Sequence, residues 1–346
     1  MNLRIGLWGA RADNCGLGTQ TWEFFKHIQP AKTMVIDLGD PERKQYFDRY
    51  PGATIIKGVP DQMMIGEFLK DLDVVFTIEI PYNYEFFDFA RGMGVKTVLQ
   101  YNWEFLDYIK DTNLPVPDLF VAPSIWHYDD MPFSNKTYLP VPVNRDLLPY
   151  RRRTRVRTIL HISGNTLYDD RNGTEIFLKS LPFLSENLKV IIYTQHKIKL
   201  PQQRVKCKII LRDKNVKNYW DIYRDGDLIV IPRKYGGLCL PLNEAMSTGM
   251  IPVMPDIAPQ NYFLPALSLV RHTDVKILDG PHLRVRLASY SISPGELAEK
   301  INHLARMDEE IIGHLSIAAN LYARGIDWVF LKPLYLKIMK ALVEGK

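Results

Sequence analysis

Short apolar runs alternate with amphipathic stretches along the whole 346-residue chain, and this change of period constrains the fold more than any single motif. The runs Leu3–Trp8, Thr33–Asp37, Val74–Ile78, Val95–Gln100 and Asp118–Ala122 read as buried strands, with helical patterns at Thr19–Ile28 and Asp61–Lys70. A second series follows: Thr158–Ser163, Lys189–Thr194, Lys208–Arg212, Asp227–Pro232 and Ile251–Met254. Its helices are expected at Thr174–Leu181, Val216–Arg224 and Leu240–Ser247. Continuous apolar strands separated by helices belong to parallel sheets covered on both faces, so the expectation is α/β with two Rossmann-like, doubly wound domains facing a cleft.

The join falls near Leu139–Arg157, where Pro140, Pro142 and Pro149 interrupt regular structure and a basic run begins (RRRTRVR, 151–157). The expected division is 1–145, 146–325 and a last helix in 326–346 that crosses back to brace the first domain. Charge divides at the same place. Residues 1–150 carry 14 Lys/Arg and 20 Asp/Glu, and the remainder 30 and 19, so the net +5 is the sum of an acidic and a basic part. The basic part suits a polyanion, either a nucleotide diphosphate or nucleic acid. No window reaches the roughly 18 apolar residues of a membrane span, Met1–Gly9 reads as a strand rather than a leader, and three cysteines lack metal spacing; the expected setting is cytoplasmic.

The most informative stretch is Asp227–Asp256, DLIVIPRKYGGLCLPLNEAMSTGMIPVMPD. A strand ends at Pro232, a glycine pair follows, and a helix opening near Leu240 carries Glu244. Gly236 and Gly237 allow backbone amides to approach a ligand, the helix N-terminus favours phosphate, and a glutamate accepts hydrogen bonds from ribose hydroxyls. The bland alternative is a tight strand–helix turn beside a solvated glutamate.

Pro232, Gly237, Leu240, Pro241, Glu244, Ala245, Gly249, Pro252 and Val253 fall on the signature of the retaining, two-domain GT-B glycosyltransferases of the GT4-like group (glycosyl transferases group 1). The YGGLCLP variant resembles a bacterial and phage subset. The resemblance implies transfer of a sugar from a nucleotide diphosphate sugar to an acceptor hydroxyl with retention, no cofactor and no required metal. It implies that Glu244 binds the nucleotide ribose, and that the backbone of Gly237, Leu238, Cys239 and Leu240 faces diphosphate and sugar. The sequence departs from the pattern at Gly236, where the family has its first glutamate, and at Arg233, where it has serine; Arg233, Lys234 or Tyr235 would contact the donor instead. The family's Gly-Arg and Lys-Gly clamp after the first strand of the donor domain corresponds here to Asn165 and Arg171, so one cation is kept to stabilise the leaving diphosphate. Gly16 and Gly18 follow the first strand, where the family places a glycine-rich loop against the donor.

On the acceptor side Glu79, Tyr82, Asn102 and Trp103 follow predicted strands and offer aromatic faces and fixed polar groups suited to sugar rings or an unstacked base. Glu104 is the candidate to position or deprotonate the acceptor hydroxyl. Asp225-Gly226-Asp227 reads as structural punctuation rather than a metal site, and His161 is the one histidine beside the donor loop. Three further readings stay open: glycosylation of a hydroxymethylated DNA base, with the arginine run holding phosphates; a non-catalytic sugar-nucleotide-binding protein; and a nucleotide-sugar epimerase.

Overall fold

The structure, a computed structural model, describes residues 3–40, 43–164, 170–213, 216–279 and 283–345. It divides into two compact units, the first made of Met1–Pro142, Pro281–Val285 and Trp328–Lys346, the second of Val143–Gly280 and Arg286–Asp327. Among the described residues no helix is long and apolar enough to cross a membrane.

Unit 1 opens with β1 (Ile5–Ala10), α1 (Gly16–Ile28), β2 (Lys32–Asp37), β3 (Thr54–Lys57), α2 (Gln62–Leu69), β4 (Val74–Ile78), α3 (Glu85–Gly92), β5 (Lys96–Gln100), β6 (Leu119–Ala122) and β7 (Lys136–Tyr138). The strands form a seven-stranded sheet in the order β3-β2-β1-β4-β5-β6-β7, and each pairing is parallel. Every residue of β1 and β4 is buried, as strands covered on both faces must be. The order reverses between β1 and β4, and in open parallel sheets ligands bind outside the carboxyl ends of strands at such a point.

Unit 2 repeats the plan with β8 (Thr158–Gly164), α4 (Thr174–Ser180), β9 (Lys189–Thr194), β10 (Lys208–Arg212), β11 (Leu228–Val230), α5 (Leu240–Ser247), β12 (Ile251–Pro255) and β13 (Leu269–Val270). Its parallel sheet runs β10-β9-β8-β11-β12-β13, with the reversal between β8 and β11. Ile159, Val190, Val230 and Val253 from the strands share one core with Phe177 and Leu181. An antiparallel hairpin follows, β14 (His272–Leu278) with β15 (Leu287–Ile292), then α6 (Pro294–Arg306) and α7 (Glu309–Gly325). α8 (Trp328–Val343) belongs to unit 1, where it buries Trp328, Leu331, Tyr335 and Met339, a helical stripe, and its Tyr335 hydroxyl donates to the Pro140 carbonyl at 3.3 Å.

Two departures from the sequence reading are instructive. The expected helix Val216–Arg224 is a 3-10 turn over Tyr219–Tyr223, because one turn suffices to bury Tyr219 and Tyr223. The β14–β15 hairpin was not expected, since β14 is largely exposed and offers no apolar run to read.

The arginine run serves the fold of unit 2. Arg153 is buried: its Nε donates to the Gly226 carbonyl at 3.0 Å, and its Nη1 to the carbonyls of Thr248, at 2.6 Å, and Arg151. Burial, with Arg151 nearby, pushes its pKa down to about 10, which still leaves it charged. Arg151 and Arg155 pair with Asp227 and Glu309. Asp227 accepts the amides of Arg157 and Thr158 at 3.0 and 2.9 Å, so its carboxylate ties the linker to the sheet.

His161 of β8 is also structural. Nδ1 lies 2.7 Å from the Val230 carbonyl, Nε2 lies 2.9 Å from the Thr174 hydroxyl, and the ring stacks on Phe177. Nδ1 must donate to the carbonyl; burial pushes the pKa down to about 4, so the imidazole is neutral and Nε2 accepts from the hydroxyl. The neutral ring therefore contributes stability that is fully present above the ordinary histidine pKa of about 6.5 and is lost as pH falls towards 4. His161→Gln is expected to cost about 1–3 kcal/mol at pH 7.5. In denaturant titrations its deficit against the native protein should narrow as pH falls from 6.5 to 4; a pH-independent gap would contradict the assignment.

Candidate functional site

The described residues of unit 2 that the sequence assigns to the donor collect beyond the carboxyl ends of β8 and β11, on either side of the point where the strand order reverses. Two loops meet there. Gly173, at φ 70°, packs so closely on Pro232 that a Cβ would overlap the Pro232 carbonyl oxygen. The Lys234 amide donates to the Arg171 carbonyl at 2.8 Å, and Lys234 Nζ lies 3.5 Å from Asp170. Asp170 caps α4, accepting from the amides of Thr174 at 2.7 Å and Glu175 at 2.9 Å. Arg171, half-buried, is thereby set beside Pro232 and Lys234. Asn165 lies outside the described residues.

Within the second loop Arg233 is only 3% exposed and turned inward. Its Nε donates to the Tyr235 carbonyl at 2.9 Å and its Nη2 to the Leu238 carbonyl at 2.7 Å. The guanidinium packs on Gly236, whose φ of 113° excludes ordinary side chains. The side chain that the sequence reading offered as a donor contact thus holds the loop from inside. Gly237, Leu238 and Leu240 are all half-buried along the loop, while Cys239 is buried at the start of α5.

Glu244 sits in α5 and is 7% exposed. It accepts a hydrogen bond from the Tyr223 hydroxyl. Burial, then the neighbouring Glu244 charge, raises the Tyr223 pKa well above 10, so the phenol stays protonated and donates. Charge-assisted bonds of this kind fix a carboxylate's orientation. The sequence reading missed Tyr223; its only signal was a tyrosine ending the segment NYWDIY.

In unit 1 the predicted residues gather after β1, β4 and β5. Gly16 is exposed at the start of α1, whereas Gly18 is buried against the Asp13 carbonyl and so serves the turn. Asp13 accepts from Arg11 Nη2 at 2.6 Å and from the Cys15 amide at 3.2 Å. Burial and Asp13 push the Cys15 thiol up to about 12, which keeps it neutral. Glu79 and Tyr82, at φ 66° and 62°, both hold the left-handed region that non-glycine residues avoid, a strain of about 1–3 kcal/mol each that clusters at functional sites. Trp8 holds this loop through Nε1 to the Pro81 carbonyl at 2.7 Å. Asn102 Nδ2 donates to Glu79 Oε1 at 2.9 Å, joining the loops after β4 and β5. Trp103 stacks on His127 with centroids 5.1 Å apart, and Glu104, next to it in sequence, is buried.

No protein-family model matches the chain, and no curated protein sequence matches it. Solved structures do. Anabaena HepE, solved with UDP and glucose, superposes with a TM-score of 0.71 at 9% identity over 98% of this chain and 100% of that one. Sucrose-phosphate synthase of Thermosynechococcus elongatus gives 0.68 at 11% identity, covering all of both chains. Trehalose-6-phosphate synthase, OtsA, gives 0.60 at 9%, over 97% of this chain and 98% of its own.

The geometry predicts that Tyr223→Phe, which removes a hydroxyl donor from a buried carboxylate, lowers stability by about 1–3 kcal/mol. A larger loss is expected for Gly173→Ala, about 3 kcal/mol or more, because backbone must move. Both are read by chemical denaturation; a neutral Gly173→Ala would refute the contact between the two loops. With its two parallel-sheet Rossmann-like units, the chain has the GT-B fold.

Proposed function

We propose that this protein is a glycosyltransferase that moves a sugar from a nucleoside diphosphate sugar to an acceptor hydroxyl with retention of configuration. The observation that carries the reading is the meeting of two loops, Asp170–Gly173 and Pro232–Leu240, at the reversal point of unit 2, with Glu244 held by Tyr223 in the helix that follows. Such a point receives nucleotides in parallel sheets. Glu244, oriented by Tyr223, is the group assigned to the ribose hydroxyls. The start of α5 and the Gly237–Leu240 backbone face the diphosphate, and Arg171 meets the charge that develops on it.

In the transfer, the bond from the anomeric carbon to the phosphate oxygen breaks as the acceptor oxygen bonds to that carbon from the same face. The acceptor proton leaves with the nucleotide or through Glu104. Within unit 1, Glu79, Tyr82, Asn102 and Trp103 are assigned to the acceptor, and Gly16, at the start of α1, is assigned to the donor by the family resemblance. No metal enters this scheme, so turnover is expected to persist in EDTA.

UDP-glucose is the first donor to test, because HepE was solved with UDP and glucose. A ligand that binds only the folded state raises the melting temperature by mass action. Among UDP-, GDP-, ADP- and TDP-sugars one should do so, and Glu244→Ala should abolish the shift. Arg171→Ala is expected to keep most of the binding while lowering kcat about 100-fold or more, as loss of a transition-state charge contact does. The anomeric configuration of the product, read by NMR, tests retention. No shift with any donor at millimolar concentration would refute the proposal, and binding without turnover would leave a sugar-nucleotide-binding protein.

A further inference from the structure

Residues 283–285 lie between β14 and β15 in sequence but belong to unit 1. There they pack on two consecutive 3-10 turns, Trp103–Phe105 and Asp107–Ile109. Leu283 and Val285 are buried. The Leu283 carbonyl accepts from Lys110 Nζ at 2.8 Å, and the Arg284 amide donates to the Glu104 carbonyl at 3.1 Å. Arg284 Nε lies 2.6 Å from one oxygen of Asp107, whose other oxygen accepts from the Tyr84 hydroxyl at 2.7 Å. Burial and this carboxylate push the Tyr84 pKa upward, so the phenol remains a donor.

Asp107 therefore ties together three stretches of chain: the loop after β4 through Tyr84, the segment after β5, and residues 283–285 through Arg284. Two 3-10 turns of three residues have few internal hydrogen bonds and little stability of their own. Their order must come from neighbours. The side chains offered to the acceptor, Tyr82 on one side and Asn102, Trp103 and Glu104 on the other, are flanked in sequence by the groups that Asp107 joins.

We propose that segment Leu283–Val285 is the positioning element of the acceptor site, with Arg284 as its specific contact. It fixes the Glu104 backbone and the turns that carry Trp103 and Glu104. The proposal rests on the reading of 102–104 as acceptor residues. Its structural part, however, stands on the free protein.

The Arg284–Asp107 pair is partly exposed, so alone it contributes modestly; the buried Leu283 and Val285 anchors contribute more. Hydrogen exchange of the free, full-length protein is the first measurement. Arg284→Ala should speed exchange across 103–110 about threefold, and the double variant Leu283→Ala/Val285→Ala about tenfold, with Arg284→Lys close to native and the α5 amides unchanged. In the turnover assay both losses should appear as a raised KM for the acceptor, with the donor KM unchanged. Native exchange over 103–110 in Arg284→Ala and in the double variant would overturn the proposal. So would a donor KM that rises as far as the acceptor's, which would mark a general loosening. If the native protein turned over no donor, the glycosyltransferase reading would fail, and the exchange data would still decide whether 283–285 orders the turns.

Discussion

The contact between Gly173 and the Pro232 carbonyl is the constraint on which the geometry of the candidate site in unit 2 depends. It joins the loop after β8 to the loop after β11 with no room for a side chain between them. The polar groups around it brace the loops themselves. Asp170 caps α4, the Lys234 amide takes the Arg171 carbonyl, and Arg233 supports the second loop from within. Loops at strand ends are ordinarily the mobile part of an α/β fold. Here backbone contacts make two of them one surface, the preorganisation that the proposed recognition of a diphosphate calls for.

Much of this was legible in the sequence because parallel sheets write themselves as buried runs. Val74–Ile78 and Lys189–Thr194 could be read to the residue, as could the helix Leu240–Ser247 and the exposed edge strand Lys208–Arg212, the last from its Ile-Ile-Leu run alone. What could not be read shares a physical cause, namely that its order comes from tertiary contacts. β3 and β14 are largely exposed edge or hairpin strands with no apolar run, and the 3-10 turn at Tyr219 is held by burial of two tyrosines. α6 did carry a local signal, Ser293 capping through the Glu296 amide, but no buried strand next to it to draw attention.

The positions of the candidate residues were legible to a similar depth. Motif positions fell where strands end, so Gly237, Glu244, Glu79 and Asn102 were locatable. Their partners were not. Tyr223 lies remote in sequence from Glu244, and Arg284 remote from Asp107, and neither residue type signals its partner. Arg233 shows the converse difficulty. A cation in a glycine-rich loop at a strand end invites a ligand role, yet its carbonyl partners at Tyr235 and Leu238 hold it inside the loop. The arginine run likewise carried a charge signal whose buried member, Arg153, is a staple between backbone carbonyls.

The inward fold of Arg233 bears on how this loop can change through substitution. Position 236 lacks a side chain because the guanidinium of Arg233 occupies that space and the backbone there sits at φ 113°. A glutamate restored at 236 would meet a filled volume, while a smaller residue at 233 would leave the turn hollow and two carbonyls bare. Neither step is neutral alone. The two positions form a single heritable unit, and any lineage moving between this loop and one with a glutamate at 236 must cross both changes together or pass through a weakened intermediate.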